Sequence, residues 1–155
     1  MNGNLVARIS GLGSLPLVSL SLDDNNLRCL ENLGGLAKLQ SLSVARNRIR
    51  SLAGLEQRLE LGSLDASDNE VPKVREAEHL KDLPLFASLA LRGNPCTALP
   101  FCRRRVIFCL QRLCSLDGEP VTPEEKVKSV NIHGGDESDL KHRQETFRKH
   151  FGFRY

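Results

Sequence analysis

The chain has 155 residues, a formal net charge of +3 and a mean hydropathy of −0.28, as expected for a single globular domain. The first 100 residues carry as many basic as acidic side chains, so the whole excess lies in residues 101–155. This excess is too small to drive binding to a phosphate backbone, and we expect no nucleic-acid partner. No apolar stretch reaches the length of a membrane span, and the first ten residues lack the features of a signal peptide. We therefore expect a cytoplasmic protein without membrane contact.

The chain begins with half of a unit that recurs later in full. Val6, Ile9, Leu12 and Leu15 follow Asn4 at intervals of two or three residues. No amphipathic helix precedes them, although the ends of repeat arrays usually carry a polar cap. Three interpretations remain open: an isoform or fragment of a longer protein, an end that lies against a partner or another copy, or a half-unit that suffices. We expect a monomer, or weak association through this uncapped end.

A nine-residue frame, L-x-x-L-x-L-x-x-N, then occurs four times. Its copies read LVSLSLDDN, LQSLSVARN, LGSLDASDN and FASLALRGN, with intervals of 22, 22 and 25 residues. In the first copy Leu20 and Leu22 are two residues apart, so both point to one side of a short strand while Ser21 points to the other. After each frame apolar residues recur every three residues, a spacing that suits a helical or 3₁₀ segment.

Each frame ends in an asparagine. We expect these side chains to turn inward, where a buried amide must find hydrogen-bond partners in the adjacent turns. The predicted structural residues of this ladder are Asn25, Asn47, Asn69 and Asn94.

The four frames in phase resemble the leucine-rich repeat proteins, specifically the intracellular class with 22-residue repeats. The resemblance covers residues 1–98 as a half repeat followed by four full ones. It implies an α/β solenoid with a short parallel sheet on the concave side, helical or 3₁₀ segments on the convex side, and a C-terminal helical cap. It also implies a surface for binding proteins.

Residues 99–125 resemble the C-terminal cap of the same class, which occurs in cytosolic, ciliary and centrosomal proteins. Val106, Ile107, Leu110 and Leu113 form an apolar stripe at helical spacing. Thr122-Pro123-Glu124-Glu125 is typical of a helix start. Residues 106–131 are most similar to the cap of proteins that join leucine-rich repeats to a guanylate kinase domain. Because the chain has no phosphate-binding G-x-x-x-x-G-K-[ST] loop, that kinase activity is not implied.

Residues 126–155 form a predicted helical extension. A helix is expected over residues 136–150, with Leu140, Phe147 and Phe151 packing on the cap near Val106 and Leu110. The alternative is an arm of basic and aromatic residues that binds an acidic partner or nucleic acid.

The remaining chemistry-bearing residues do not form a recognisable catalytic or metal site. The five cysteines include no C-x-x-C pair, which indicates neither zinc nor a disulfide framework and favours a reducing compartment. Cys29 lies between core leucines and is predicted to be a small apolar filler. The four histidines follow no ligand spacing, and no serine has a general base nearby in sequence. We expect no cofactor and no enzymatic activity.

The outward positions of the frames define the predicted concave face. The candidate partner-binding residues on it are Ser21, Asp23, Asp24, Ser43, Arg46, Asp65, Asp68 and Arg92. Small side chains predominate, and Arg46 and Arg92 alone belong to the residue types that dominate binding energies.

Two functions follow from the repeats. The first is a non-catalytic scaffold that binds another protein, of unknown identity, in a ciliary, centrosomal or microtubule-associated assembly; the cap resemblance implies this setting. The alternative is a regulatory subunit of a protein phosphatase. Residues 105–108 fit the R-V-x-F pattern of phosphatase regulators, but that docking requires an extended segment and we expect these residues to lie in the cap helix.

Overall fold

The computed structural model describes residues 4–131, and within that range six strands form one continuous sheet. The strands are β1 (Ser19–Ser21), β2 (Ser41–Ser43), β3 (Ser63–Asp65), β4 (Ser88–Ala90), β5 (Ser115–Leu116) and β6 (Glu119–Pro120). Strands β1 to β5 are parallel and follow each other in chain order, whereas β6 is antiparallel to β5. This is the predicted leucine-rich repeat solenoid, with one strand from each of the four frames and two further strands from the cap.

The register of the strands stacks the same frame position from every repeat. Leu20 is opposite Leu42, which is opposite Leu64, and the row continues through Leu89 to Leu116. Together with the leucines of the return segments, this row forms a single core that runs the length of the array. A repeat alone has no second layer to cover its apolar side, so stability depends on this stacking.

The convex side is less regular than the spacing of three predicts. A 3₁₀ helix, Val74–Leu80, forms in the third repeat, where Val74, Ala77 and Leu80 are buried. In the first and second repeats the return segments are successions of turns, so the prediction of a helical or 3₁₀ segment is wrong for these two. The third repeat is three residues longer, which gives its return segment room for a seven-residue helix.

The four asparagines lie in a hydrogen-bonded ladder at the ends of the strands. Asn47 donates from Nδ2 to the carbonyl oxygens of Leu22, Val44 and Ala45, at 3.0–3.1 Å. Its Oδ1 accepts the N–H of Leu27 at 3.0 Å. Asn69 and Asn94 repeat this pattern one repeat further along. Each amide therefore joins its own strand end to the preceding repeat.

The first asparagine connects the array to the half repeat. Asn25, which is partly buried, accepts the N–H of Val6 through Oδ1 at 3.1 Å. Ile9 and Leu12 are buried in the common core, whereas Leu5 is 92% exposed. Cys29 is exposed, so its predicted role as an apolar filler is wrong. Cys29 lies one residue short of the buried position that Leu30 occupies.

The cap closes the other end with two helices, α1 (Cys102–Cys109) and α2 (Pro123–Asn131). The four residues of the predicted apolar stripe, Val106, Ile107, Leu110 and Leu113, are all buried. A short 3₁₀ helix, Pro95–Ala98, connects the last repeat to α1. The domain boundary predicted after residue 125 falls inside α2, which packs on α1.

Helix α2 begins with a reciprocal pair of hydrogen bonds. The Glu125 N–H donates to Thr122 Oγ1 at 3.2 Å, and the Thr122 N–H donates to Glu125 Oε2 at 3.0 Å. This is a capping box, and it satisfies two N–H groups at the start of the helix. Arg103 of α1 donates from Nε to the same carboxylate at 2.8 Å, so Glu125 fastens one cap helix to the other.

No helix within residues 4–131 is long and apolar enough to cross a membrane. The predicted helix over residues 136–150, with Leu140, Phe147 and Phe151, lies outside the described residues.

Replacing Asn47 with alanine tests the ladder. Asn47→Ala leaves the buried N–H of Leu27 without its acceptor and removes one of the two donors to the carbonyl groups of Leu22 and Val44. We therefore expect a loss of about 1–3 kcal/mol in the free energy of unfolding. Urea denaturation followed by circular dichroism measures the change. Asn26→Ala is the matched control, because the Asn26 side chain makes no hydrogen bond with the described residues. A midpoint as high as that of the control would contradict the role of the ladder.

The Arg103–Glu125 contact gives a pH-dependent prediction. The Arg103 guanidinium, together with the Thr122 N–H, lowers the pKa of Glu125 from its usual 4.5 to about 2. Since the folded-state pKa lies below the unfolded one, the contact stabilises the cap above about pH 4.5 and is lost as the pH falls towards 2. We expect Arg103→Met to return the Glu125 pKa towards 4.5 in a carboxyl ¹³C NMR titration. Arg105→Met, on the same helix, should leave it unchanged.

Candidate functional site

The outward-facing side chains of the strands form two rows of small residues across the sheet. The first row is Ser19, Ser41, Ser63, Ser88 and Ser115, and the second is Ser21, Ser43, Asp65 and Ala90. Most of these residues are partly exposed, and none carries a bulky side chain. The sequence-predicted residues Ser21, Ser43 and Asp65 therefore lie together on the concave side, on a shallow surface without aromatic groups.

The side chain of Asp23, one of the candidate partner-binding residues, makes its hydrogen bonds within the sheet. Its carboxylate accepts hydrogen bonds from Ser21 Oγ at 3.0 Å and from Ser43 Oγ at 2.6 Å. The Ala45 N–H donates to the same carboxylate at 2.8 Å. Asp23 thus links the first repeat to the second, and it already uses much of its capacity to accept hydrogen bonds.

The residues directly before the asparagines, together with Arg92, form a rim along the strand ends. Asp24, Arg46, Asp68 and Gly93 all have left-handed backbone conformations, with φ values of 56°, 54°, 52° and 77°. Aspartate tolerates this region and glycine adopts it freely, whereas for arginine it costs roughly 1 kcal/mol. Among these four residues, Arg46 is therefore the one whose backbone conformation is least favoured by its residue type. Backbone strain of this kind often accompanies function.

Arg46 and Asp24 form an exposed ion pair across adjacent repeats. The Arg46 Nη2 donates to Asp24 Oδ2 at 2.8 Å, and Nε donates to Oδ1, so the contact is bidentate. The Arg46 guanidinium lowers the pKa of the Asp24 carboxyl below its usual 3.8. The same contact raises the pKa of Arg46. Because both side chains are largely exposed, a partner can exchange this contact for its own at a small cost.

Asp65 and Asp68 differ in how many hydrogen bonds their carboxylates accept. The Ser67 N–H and Oγ both donate to Asp65 Oδ1, at 2.9 and 2.6 Å. Asp68 is exposed on the rim beside Gly93, where a Cβ atom would lie 2.0 Å from Asp68 Oδ1. Glycine at position 93 therefore allows the fourth repeat to approach the Asp68 carboxylate.

Arg92 lies beside an aspartate that the sequence analysis missed. Asp117, in the cap, accepts the N–H groups of Leu91 and Arg92 at Oδ1, at 2.7 and 2.9 Å. Arg92 Nη2 donates to the Asp117 carbonyl oxygen at 3.4 Å. The segment LCSLDG at residues 113–118 repeats the start of the third frame, LGSLDA, and this similarity was the signal that places Asp117 on the sheet.

The R-V-x-F segment lies inside α1, as predicted. Val106 and Ile107 are 1% and 0% exposed and contribute to the core. Docking of such a motif requires an extended strand, so residues 105–108 would have to leave both the helix and the core.

Two cavities of the described chain lie away from the strands. One, of about 410 Å³, is lined by residues of the convex side and α1, including Leu83, Phe86 and Phe108. A second, of about 440 Å³, lies between the two cap helices and contains Arg103 and Lys128. Within residues 4–131 no group of three or more His, Cys, Asp or Glu side chains is arranged to hold a metal ion. The strands line neither of these two cavities.

Comparison with known proteins agrees with this geometry. The leucine-rich repeat family matches residues 1–144, and the chain belongs to this family. Among solved structures, one in the SNF/U2A' complex of Drosophila melanogaster superposes with a TM-score of 0.81 at 24% identity, over 94% of this chain and 85% of that one. At this identity the likeness establishes the fold.

A second structure is similar over a smaller part of the chain. It is a leucine-rich repeat protein of Leptospira interrogans, with a TM-score of 0.52 at 25% identity, over 64% of this chain and 25% of that one. No curated protein sequence matches the chain significantly.

The rim ion pair can be tested by titration. Arg46→Met removes the guanidinium that lowers the Asp24 pKa, and we expect that pKa to rise towards 3.8. Carboxyl ¹³C NMR of the full chain measures it. Arg48→Met, two residues away, is the control and should leave the value low. An Asp24 pKa that does not respond to Arg46→Met would show that the two side chains are apart in solution.

Proposed function

We propose that the protein is a non-catalytic scaffold that binds a partner protein on its concave face. The observation that carries the proposal is the pair of uninterrupted rows of small side chains over the parallel strands. Leucine-rich repeat proteins are in general protein-interaction modules. A surface made mostly of serine side chains allows the backbone of a partner helix or strand to approach closely.

The charged rim supplies the specificity of this interaction. Arg46, Arg92 and Asp68 reach beyond the small side chains at the strand ends, whereas Asp23 is engaged within the sheet. Arginine is enriched among the residues that dominate protein interfaces, and its planar fork recognises carboxylates in a bidentate way. We expect the partner to present an acidic or amide group to Arg46, in exchange for Asp24.

Proteins, rather than small molecules, are the ligand class that suits this face. Pockets for small molecules are concave and enclose most of the ligand, whereas protein interfaces extend over a broad surface with only local depressions. The structure in the SNF/U2A' complex, which matches nearly the whole chain, is that of a protein held in a complex. This supports a protein partner without naming it.

The cellular setting is part of the proposal and rests on the cap. Its resemblance to the caps of ciliary and centrosomal repeat proteins supports a cytoplasmic scaffold of a microtubule-based assembly. The alternative, phosphatase regulation, receives no support from residues 105–108, because Val106 and Ile107 are buried. Fluorescence microscopy of the tagged full chain tests the setting, and a uniform distribution in ciliated cells would contradict it.

A double substitution on the rim tests the concave site. We expect Arg46→Asn with Arg92→Gln to reduce recovery of the principal partner roughly tenfold or more, since interface arginines commonly contribute 2 kcal/mol or more. Asparagine suits the left-handed backbone at position 46, so the fold should remain intact. Affinity purification from cells with quantitative mass spectrometry measures the change, and circular dichroism checks the fold.

The matched control removes two arginines elsewhere. Arg104 and Arg112 are exposed in and beside the cap helix α1, so Arg104→Gln with Arg112→Gln changes the net charge by the same amount. Recovery should then equal that of the unaltered chain. If the rim variant recovers as much partner as the unaltered chain does, the partner binds on another surface.

A further inference from the structure

A second ladder of hydrogen bonds runs along the flank of the array, just after the asparagines. The N–H of Asn26 donates to the carbonyl oxygen of Val6 at 2.9 Å. In the next repeat the Arg48 N–H donates to the Leu27 oxygen at 2.8 Å, and in the third the Glu70 N–H donates to the Ile49 oxygen at 2.9 Å. The residue after each of the first three asparagines is thereby held beside the segment that precedes it by one repeat.

This ladder places different charges together in successive repeats. Glu70 lies beside Arg50, and the Arg50 Nε donates to its carboxylate at 2.8 Å. At the same two positions one repeat earlier the ladder brings Arg48 beside Arg28, which are like charges. Arg28, Arg48, Arg50 and Glu70 together line one surface depression of about 180 Å³. In the part of the chain that the structure describes, neither Arg28 nor Arg48 belongs to an ion pair.

Nothing in the folding of the repeat requires this arrangement. All three guanidinium groups lie outside the apolar core, and Arg28, Arg48 and Arg50 are exposed. Like charges at neighbouring surface positions repel each other, and a glutamate at either position would remove the repulsion. A concentration of guanidinium groups around a depression is instead the arrangement by which proteins recognise phosphate.

We propose that Arg28, Arg48 and Arg50 form a binding site for the phosphate group of a phosphorylated segment of a partner protein. Three guanidinium groups and the Glu70 carboxylate leave a net local charge of +2, which matches the charge of about −1.5 to −2 on a phosphorylated side chain at pH 7. A depression of about 180 Å³ admits one such group but is smaller than the roughly 300–1,000 Å³ of small-molecule pockets.

The surroundings of the depression favour a single phosphate over a polyanion. Glu31, Asp24 and Glu70 lie in the same repeats, where they pair with Arg8, Arg46 and Arg50. These carboxylates would repel a second and third phosphate of a nucleic acid or an anionic membrane. Arg48 lies two residues beyond Arg46, with the buried Asn47 between them, so a partner on the concave face can extend a phosphorylated segment over the rim.

Binding can be measured with defined probes. The ¹⁵N-labelled full chain is titrated, at constant ionic strength, with N-acetyl-phosphoserine amide, with inorganic phosphate and with N-acetyl-aspartate amide. We expect saturable shifts of the Nε–Hε signals of Arg28, Arg48 and Arg50 with phosphoserine, and much smaller ones with aspartate. Arg28→Gln with Arg48→Gln should weaken phosphoserine binding about tenfold or more. Glu70→Gln, which removes the competing carboxylate, should strengthen it several-fold.

The matched control is again Arg104→Gln with Arg112→Gln, which should leave phosphoserine binding unchanged. Equal weakening by this control, or equal binding of aspartate, would overturn the proposal. Binding of inorganic phosphate without phosphoserine would make the site one for the free ion, and preferential binding of single-stranded RNA or anionic vesicles would assign it to another class of partner. Because Arg46 and Arg92 are untouched, these results are independent of those for the concave face.

Discussion

The buried asparagine amide is the contact on which the rest of this structure depends. Strands of three residues or fewer make few hydrogen bonds with each other, and each is followed by a turn whose carbonyl groups face the core. A buried carbonyl or N–H group without a partner destabilises a protein by about as much as one hydrogen bond is able to stabilise it. The amides of Asn47, Asn69 and Asn94 satisfy these groups in two repeats at once. Each repeat is thus incomplete without its neighbour, which keeps the strands in parallel register.

The character of the concave face follows from the same short repeat. With the strand limited to three residues, two outward positions per repeat face the concave side, and here most are serine. Longer polar side chains near them are largely engaged across repeats, as Asp23 and Asp117 show by bonding to backbone N–H groups of the next or preceding strand. The side chains that remain available to a partner are those of the rim, including Arg46 and Asp68. The interaction that we propose therefore depends on strand ends more than on strand centres.

Charge on the flank varies independently of the core. The frame requires leucine, valine and asparagine at its own positions. The type of residue that follows the asparagine is able to vary, since that residue contributes only its backbone to the second ladder. Asn26, Arg48 and Glu70 occupy this position in three successive repeats, and the core beneath them is unchanged. A repeat protein is able to alter the charge that it presents without affecting its stability much. Arg28 and Arg48, which line the same depression, belong to this variable layer.

The sequence by itself determined the architecture, because the features that define it are periodic and local. The frames predicted the strands, their inward leucines, the asparagine ladder and the buried stripe of Val106 and Leu110; Thr122 and Pro123 predicted the start of α2. Only the tertiary structure decided which polar side chains are engaged and which are available. Asp23 and Asp24 are adjacent in sequence, yet one bonds within the sheet and the other pairs with Arg46 on the rim. The hydrogen-bond partners of both aspartates lie about one repeat away along the chain. A periodic sequence pattern specifies which apolar residues meet across one repeat, but it does not specify the geometry of individual polar groups. The irregular convex side and the exposure of Cys29 have the same cause: apolar spacing of three fits turns as well as a 3₁₀ helix, and packing against the neighbouring repeats selects between them.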